Sequence, residues 1–410
     1  MDRKQLLEGW KVKRLGEIAS INYGYTAKAS SENIGPKLLR ITDIQNDKVD
    51  WSSVPYCPVD EADFQKYKLI DQDIVFARTG ATTGKSYLVS NPPESVAASY
   101  LIRLRIKDST ISPQFISKFF QTSGYWKSVS SGISGSAQGG FNASKLSELV
   151  VKIPPIDEQK RIMAILDEAF EGIDQAISNT EKNLANAREL FDSFLNKIFT
   201  EKGDGWEEAS LENLSERITK GSSPKWQGIN YVDEPGILFV TSENVGENQM
   251  LFDKKKYVEE YFNEKDSKSI LVYGDVLTNI VGASIGRTAI YDREEIANIN
   301  QAVCLIRCQS NKLLNKYLCY LLNSPYFRQI LHDNEVNNAR ANLSLGFFRG
   351  LQIPLPLVNE QASIVFKIDK FFIETQRLET IYRQKLAALN ELKQSILQKA
   401  FTGQLTSKNC

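Results

Sequence analysis

The chain has 410 residues, with 50 Lys and Arg balancing 50 Asp and Glu, which excludes a uniformly basic, histone-like protein but permits a local basic face. At 42% hydrophobic and 24% charged residues it has the composition of a folded protein long enough for two or three domains. The charged N-terminus MDRKQLLEGW lacks an apolar signal segment, no apolar run approaches the roughly 18 residues of a membrane span, and five cysteines with the lone His332 are too scattered for a disulfide framework or a zinc site. A cytoplasmic chain with no metal and no membrane association is expected.

In chain order, Gly9-Trp10 opens a segment with β-like runs at 38–44, 74–77 and 100–106, divided by turns rich in Gly, Ser, Asn and Pro. A helix is expected at 113–121. Pro155-Ile-Asp-Glu-Gln159 then leads into a long helical pattern, with Asp157 where an N-cap is wanted. Its apolar positions are Ile162, Leu166, Ala169, Ile173, Ile177, Leu184, Ala187, Phe191, Phe194 and Ile198.

At Gly205-Trp206 the order starts again. Runs at 237–241, 276–280 and 302–307 and a helix at 312–323 precede Pro356-Leu-Val-Asn-Glu-Gln361, with Asn359 as the expected N-cap. The second long pattern has Ile364, Ile368, Phe371, Leu378, Tyr382, Leu386, Leu389, Ile396 and Ala400, and the two close alike, Lys197-Ile-Phe-Thr200 against Lys399-Ala-Phe-Thr402. A period of about 200 residues is a duplicated domain pair, not a solenoid.

Spacings of three, four and seven sustained this long mark a coiled-coil seam, and roughly 42 residues give a rod of roughly 60 Å. Two rods of one chain bury each other's stripe at high effective concentration, which favours pairing within the chain over pairing with another protein. The expected architecture is α+β with a pseudo-two-fold internal repeat: mixed α/β domains at 1–155 and 204–356, and long helices at 156–203 and 357–405.

Gly80-Ala-Thr-Thr-Gly-Lys85-Ser86 has three residues between its glycines where a P-loop has four, and Gly282-Ala-Ser-Ile-Gly-Arg287-Thr288 is equally short with Arg for Lys. ATP binding is not expected. Both copies keep a glycine turn with exposed backbone N–H groups, a cation and a hydroxyl, which suits a nucleic-acid phosphate; a tight hairpin turn is the alternative. Asn91-Pro-Pro-Glu94 carries Glu where the Asn-Pro-Pro motif of adenine methyltransferases has a ring to stack on a flipped base, and reads as a proline turn. Cys304 and Cys308 read as small core residues on one strand face. His332 has no nucleophile motif beside it and reads as a surface or helix-end residue. No active-site constellation assembles.

Charge is unevenly distributed. Arg103, Arg105, Lys107, Lys118, Lys127, Lys145 and Lys152 stand against Asp108 and Glu148 in 97–155. Arg307, Lys312, Lys316, Arg328, Arg340 and Arg349 stand against Asp333 and Glu335 in 296–356. The same part of each copy being basic points to a polyanion surface. Each window also holds a polar stretch, Ser134-Gly-Ser-Ala-Gln138-Gly-Gly-Phe-Asn142 and Asn337-Asn-Ala-Arg340-Ala-Asn342. Asn and Gln pair bidentately with adenine and Arg with guanine; plain loops are the alternative. The expected DNA contacts are Lys28, Arg78, Lys85, Lys225 and Arg287 at the turns, Arg103 and Arg105, and Ser136, Gln138, Asn142, Asn337, Asn338, Arg340 and Asn342 in the polar stretches.

This ordered, duplicated set resembles the specificity subunit of a type I restriction-modification system over essentially the whole chain. Besides the helix-opening motifs, the Gly221-Ser-Ser-Pro224 turn and the Asp73…Gly80…Gly84 and Asp275…Gly282…Gly286 patterns are similar to that family's; Gly24-Tyr-Thr-Ala27 departs by lacking the proline. The resemblance implies two target-recognition domains, each reading one half of a bipartite asymmetric site on double-stranded DNA. The long helices would form an antiparallel coiled coil that sets the spacer and docks two modification subunits. Adenine methylation with S-adenosylmethionine, and ATP- and magnesium-dependent translocation and cleavage, would belong to modification and restriction subunits, leaving this chain non-catalytic and without a cofactor. A self-contained methyltransferase or nuclease lacks its motifs here. A scaffold that binds only proteins would explain the helices but not the paired basic windows.

Overall fold

The computed structural model describes residues 8–45, 47–134, 141–338 and 340–406. The chain forms two compact units, Met1–Thr180 with Gln384–Cys410, and Glu181–Arg383. In the first, Ala19–Tyr23, Leu101–Ile106, Ile74–Ala77 and Ser86–Leu88 make an antiparallel sheet in that order. Ile74–Ala77 is buried throughout, as its uninterrupted apolar run requires. The run expected at 38–44 is a short strand, Lys37–Leu39, parallel to Ser95–Ala97. It ends because the Asp43 carboxylate accepts the Arg40 N–H at 2.8 Å and pairs with its guanidinium at 2.6 Å, folding Ile41–Asp43 into a tight turn.

The expected helix at 113–121 is Pro113–Phe119, with Ser112 as its cap and proline at its start. Two helices the periodicity did not reveal follow, Ser123–Ser134 and Ala143–Glu148. Val150–Ile153 then returns antiparallel to Lys11–Arg14, bringing both ends of the domain to the start of the long helix.

The second unit repeats this plan. Ser215–Lys220, Val303–Cys308, Val276–Asn279 and Thr288–Ile290 form the same antiparallel sheet. The helices Asn315–Asn323, Pro325–Asp333 and Leu345–Gly350 follow, and Gln352–Leu355 pairs with Glu207–Ser210. Cys304 is a core residue as expected, its thiol pushed up to about 12 by burial. His332 lies in the last helical turn of Pro325–Asp333, beside Glu335.

Ile156–Thr200 and Val358–Thr402 are single helices of 45 residues each. Each starts one residue before its expected cap, so Asp157 and Asn359 sit inside the first turn, where Asp157 complements the positive helix end. In the first unit Ile162, Leu166, Phe170 and Ile173 share a core with Leu397, Ala400 and Phe401. Glu158 meets Thr406 and Asp174 meets Lys393, the latter at 2.7 Å, so the helices run antiparallel. In the second unit Phe191, Leu195 and Phe199 share a core with Ile364, Val365 and Ile368, and Arg188 reaches Glu379 at 3.3 Å, again antiparallel. The apolar stripes therefore meet within the chain. Leu378, expected in the seam, is exposed, while Phe170, Leu195, Phe199, Leu397 and Phe401 join it from the neighbouring helical row.

The Glu-Gln pair that opens each helix has a structural task. Gln159 is fully buried: its Oε1 accepts the Ser112 N–H at 2.8 Å, and its Nε2 donates to the carbonyls of Thr110 at 3.0 Å and Pro154 at 2.9 Å. Gln361 makes the same three bonds, to Leu314 N–H at 2.9 Å and to the carbonyls of Lys312 at 2.8 Å and Pro356 at 2.9 Å. Glu360 accepts the Trp206 indole N–H at 2.8 Å, which gives the Gly-Trp motif its place at the base of the helix. Each buried backbone group left without a partner costs roughly 1–3 kcal/mol, so Gln361→Leu is expected to destabilise the second unit by about 2–4 kcal/mol. Urea unfolding measures this, and an unchanged midpoint would remove the latch.

Candidate nucleic-acid interface

The glycine turns are hairpins. Gly80 and Gly84 have φ of 79° and 86°, and Gly282 and Gly286 of 76° and 85°, a left-handed conformation that glycine adopts without a Cβ penalty. The amides of Thr83, Gly84 and Lys85 donate to the carbonyls of Gly80, Ala77 and Thr82, and those of Ile285, Gly286 and Arg287 to Gly282, Asn279 and Ser284. These amides, expected to be open to a phosphate, are committed to the turn. What both turns offer is the cation that follows. Lys85 and Arg287 are exposed, and neither has a carboxylate partner among the described residues.

A second cation pair lies on the other glycine turn. A β-carbon on Gly24 would overlap the carbonyl of Ala97, and one on Gly221 that of Ile299, so each turn is pressed against a strand end. Lys28 and Lys225 emerge from these turns exposed. Trp226, beside Lys225, is 81% exposed, a candidate that only the Pro-Lys-Trp run could have signalled.

The polar stretches come back to the strands that lead into the Gly80 and Gly282 turns. Phe141 N–H donates to the Arg78 carbonyl at 3.2 Å, and Leu343 N–H to the Ile280 carbonyl at 2.9 Å. Arg78 lies 4.8 Å from the centre of the Tyr23 ring, whose hydroxyl accepts the Ala143 N–H. Asn142 caps the helix Ala143–Glu148, its Oδ1 accepting the Lys145 N–H at 2.8 Å. In the second unit Val336–Asn338 and Arg340–Asn342 form a hairpin whose Asn342 bridges to Val281, beside the glycine turn. Asn337, Asn338 and Arg340 thus have a described backbone only, and Ser136 and Gln138 lie outside the described residues.

Two further residues expected at the DNA surface have internal tasks instead. Arg105 holds the fully buried Asp73 carboxylate with two bonds of 2.7 and 2.8 Å, and Asp73 in turn accepts the Ile70 N–H. This hydrogen bond raises the Arg105 pKa. Arg103 is buried against the carbonyls of Lys68 and Lys66. The Arg105–Asp73 clamp recurs as Arg307–Asp275, at 2.8 Å twice. The basic windows lose further cations in the same way: Lys118 faces Asp167, Lys316 faces Asp369, Arg328 faces Glu247 and Asp192, and Arg349 faces Glu212. The sequence windows hold cations whose acidic partners lie outside them.

Two separate stretches, residues 7–185 and 203–388, match the type I restriction modification DNA specificity domain. The chain belongs to this family. It is similar to the type I restriction enzyme StySPI specificity subunit of Salmonella potsdam, 24% identical over all of this chain and 92% of that one. It is likewise 25% identical to the EcoKI specificity subunit of Escherichia coli strain K12, over all of this chain and 92% of the relative. A chain from a structure of type I R-M complex assembly shares its fold at a TM-score of 0.78 and 19% identity, over 98% of this chain and all of that one. The HsdS subunit of Thermoanaerobacter tengcongensis superposes at 0.57 and 19% identity, over 98% and 99%. Among the described residues of this specificity chain, no cluster of three His, Cys, Asp or Glu is placed to hold a metal, and no helix is long and apolar enough to cross a membrane.

The clamp is a frame element of both specificity domains. Arg307→Met would strand the buried Asp275 carboxylate and is expected to destabilise the second unit by about 3–5 kcal/mol. Thermal unfolding checks this; an unchanged midpoint would return Arg307 to the surface set.

Proposed function

We propose that this chain confers DNA sequence specificity on a type I restriction-modification complex, each recognition domain reading one half of a bipartite asymmetric site. The observation that carries this reading is a frame built twice with its outward cations at matching positions, Lys28 with Lys225 and Lys85 with Arg287, while neighbouring surface residues differ. Matching cations suit the phosphate backbone, which is alike at every site, and differing neighbours suit two base sequences. Arg78 and the polar stretches at 134–142 and 337–342 supply candidate base readers. The paired long helices set the gap between half-sites and present a surface to two modification subunits.

The chemistry belongs to those partners in the cytoplasm. Modification subunits supply adenine methylation from S-adenosylmethionine, restriction subunits supply ATP- and magnesium-dependent cleavage, and this chain contributes no catalytic group. A scaffold binding only proteins accounts for the helices but not for the duplicated exposed cations.

Co-expression with its modification subunit in a methylation-free host, followed by genome-wide mapping of N6-methyladenine, tests the reading. One split motif, two short blocks around a fixed gap, is expected; unmethylated or randomly methylated DNA from an intact complex would favour the scaffold. Joint replacement of Arg78, Lys85 and Arg287 by Gln is expected to weaken duplex binding. It should also lower the slope of log affinity against log salt by about 0.9 for each phosphate that is no longer neutralised. Binding with an unchanged slope would remove these residues from the interface.

A further inference from the structure

The first unit has a cavity of about 640 Å3 beside the Gly80–Gly84 turn, within the roughly 300–1,000 Å3 of small-molecule sites. Phe120 and Trp126 line it from the helical side, and Ile41 and Ile44 from the turn that follows Lys37–Leu39. Lys85 lines it while remaining exposed, and Asp47 and Gln121 add a carboxylate and an amide.

In the second unit the equivalent turn and helix are joined by hydrogen bonds. Asp47 and Asn248 occupy equivalent turn tips, both left-handed with φ of 56° and 59°. At Asn248, the backbone N–H donates to the Thr288 carbonyl at 2.9 Å, and its Oδ1 accepts from Asn323 at 2.8 Å. Arg328, at the helix position of Trp126, donates to the Asn323 carbonyl at 2.9 Å and pairs with Glu247 at 3.0 Å. These bonds join the turn to the helix in the second unit. The cavity of about 680 Å3 in the second unit is lined by Asn248, Asn323 and Arg328 themselves, together with Arg188, Asp192 and Glu379 of the long helices.

An aromatic wall, a carboxylate and an amide able to bond ring-edge N–H and carbonyl groups, and a cation at the rim together match one nucleotide. We infer that this cavity accepts a single nucleobase unstacked from the DNA that the first domain reads, with Lys85 on that nucleotide's phosphate. Trp126 supplies the π-face, which stacks on any base, and Phe120 backs it from the core. Asp47 and Gln121 bond the base edge. The inference rests on the DNA-reading function.

The test titrates the four deoxynucleoside 5′-monophosphates, with deoxyribose 5-phosphate as control, into the full-length chain, followed by calorimetry. Saturable binding of at least one nucleotide is expected, weakened at least about fivefold by Trp126→Ala and by Lys85→Gln, retained in Trp126→Phe and in the charge control Lys197→Gln. Mobility shift on the methylation-defined duplex, run on the same preparations, separates the two claims. A protein that recognises its duplex but binds no nucleotide overturns the pocket and leaves the DNA reading intact. Equal binding of deoxyribose 5-phosphate, or binding indifferent to Trp126→Ala and Lys85→Gln, overturns it as well.

Discussion

In each unit the glutamine of the first long-helix turn is fully buried, and its amide joins three pieces of chain. Gln159 holds the start of Pro113–Phe119 through Ser112, the connection from the sheet through Thr110, and the strand leaving the domain through Pro154. Gln361 does the same through Leu314, Lys312 and Pro356. The task needs one acceptor and two donor hydrogens on a side chain of this reach. Glutamate lacks the donors and asparagine is one methylene short. Each recognition domain is therefore registered on its helix by a directional polar contact, where apolar packing alone would allow sliding.

The two units share their frame and differ at their surfaces. The Asp–Arg clamp, the left-handed glycines, the close approach at Gly24 and Gly221 and the glutamine latch occur in both. Around the glycine turns partly exposed residues diverge: Trp126 against Arg328 and Asp47 against Asn248. A domain that must hold its shape while reading a different sequence is served by this separation, since the buried polar contacts stay fixed while the outward side chains vary.

Much of this was legible in the sequence. The repeat, the strands at the centre of each sheet and the two long helices followed from periodicity and from motifs recurring in order. The short helices Ser123–Ser134 and Ala143–Glu148 were not legible, because Gly- and Ser-rich segments become helical here only by packing residues such as Tyr125 and Leu146 into the core. Among candidate DNA-facing residues, the turn cations Lys28, Lys85, Lys225 and Arg287 are exposed. Arg103 and Arg105 are not: Arg103 is spent on the carbonyls of Lys66 and Lys68 and Arg105 on the buried Asp73 carboxylate, partners from a distant segment that leave no mark in the sequence around either arginine. Trp126 carries no sequence signal, since its significance lies in the space in front of it, which only the fold creates.

On the proposed reading the domains read DNA and the long helices set the gap between half-sites, and deletion tests that division most directly. One heptad removed from the middle of each long helix, distant from both glutamines, shortens each by roughly 10 Å while preserving the apolar seam. In cells carrying the modification subunit, the methylated motif is predicted to keep both half-sites and to change only the gap between them. Altered half-sites around an unchanged gap would contradict it.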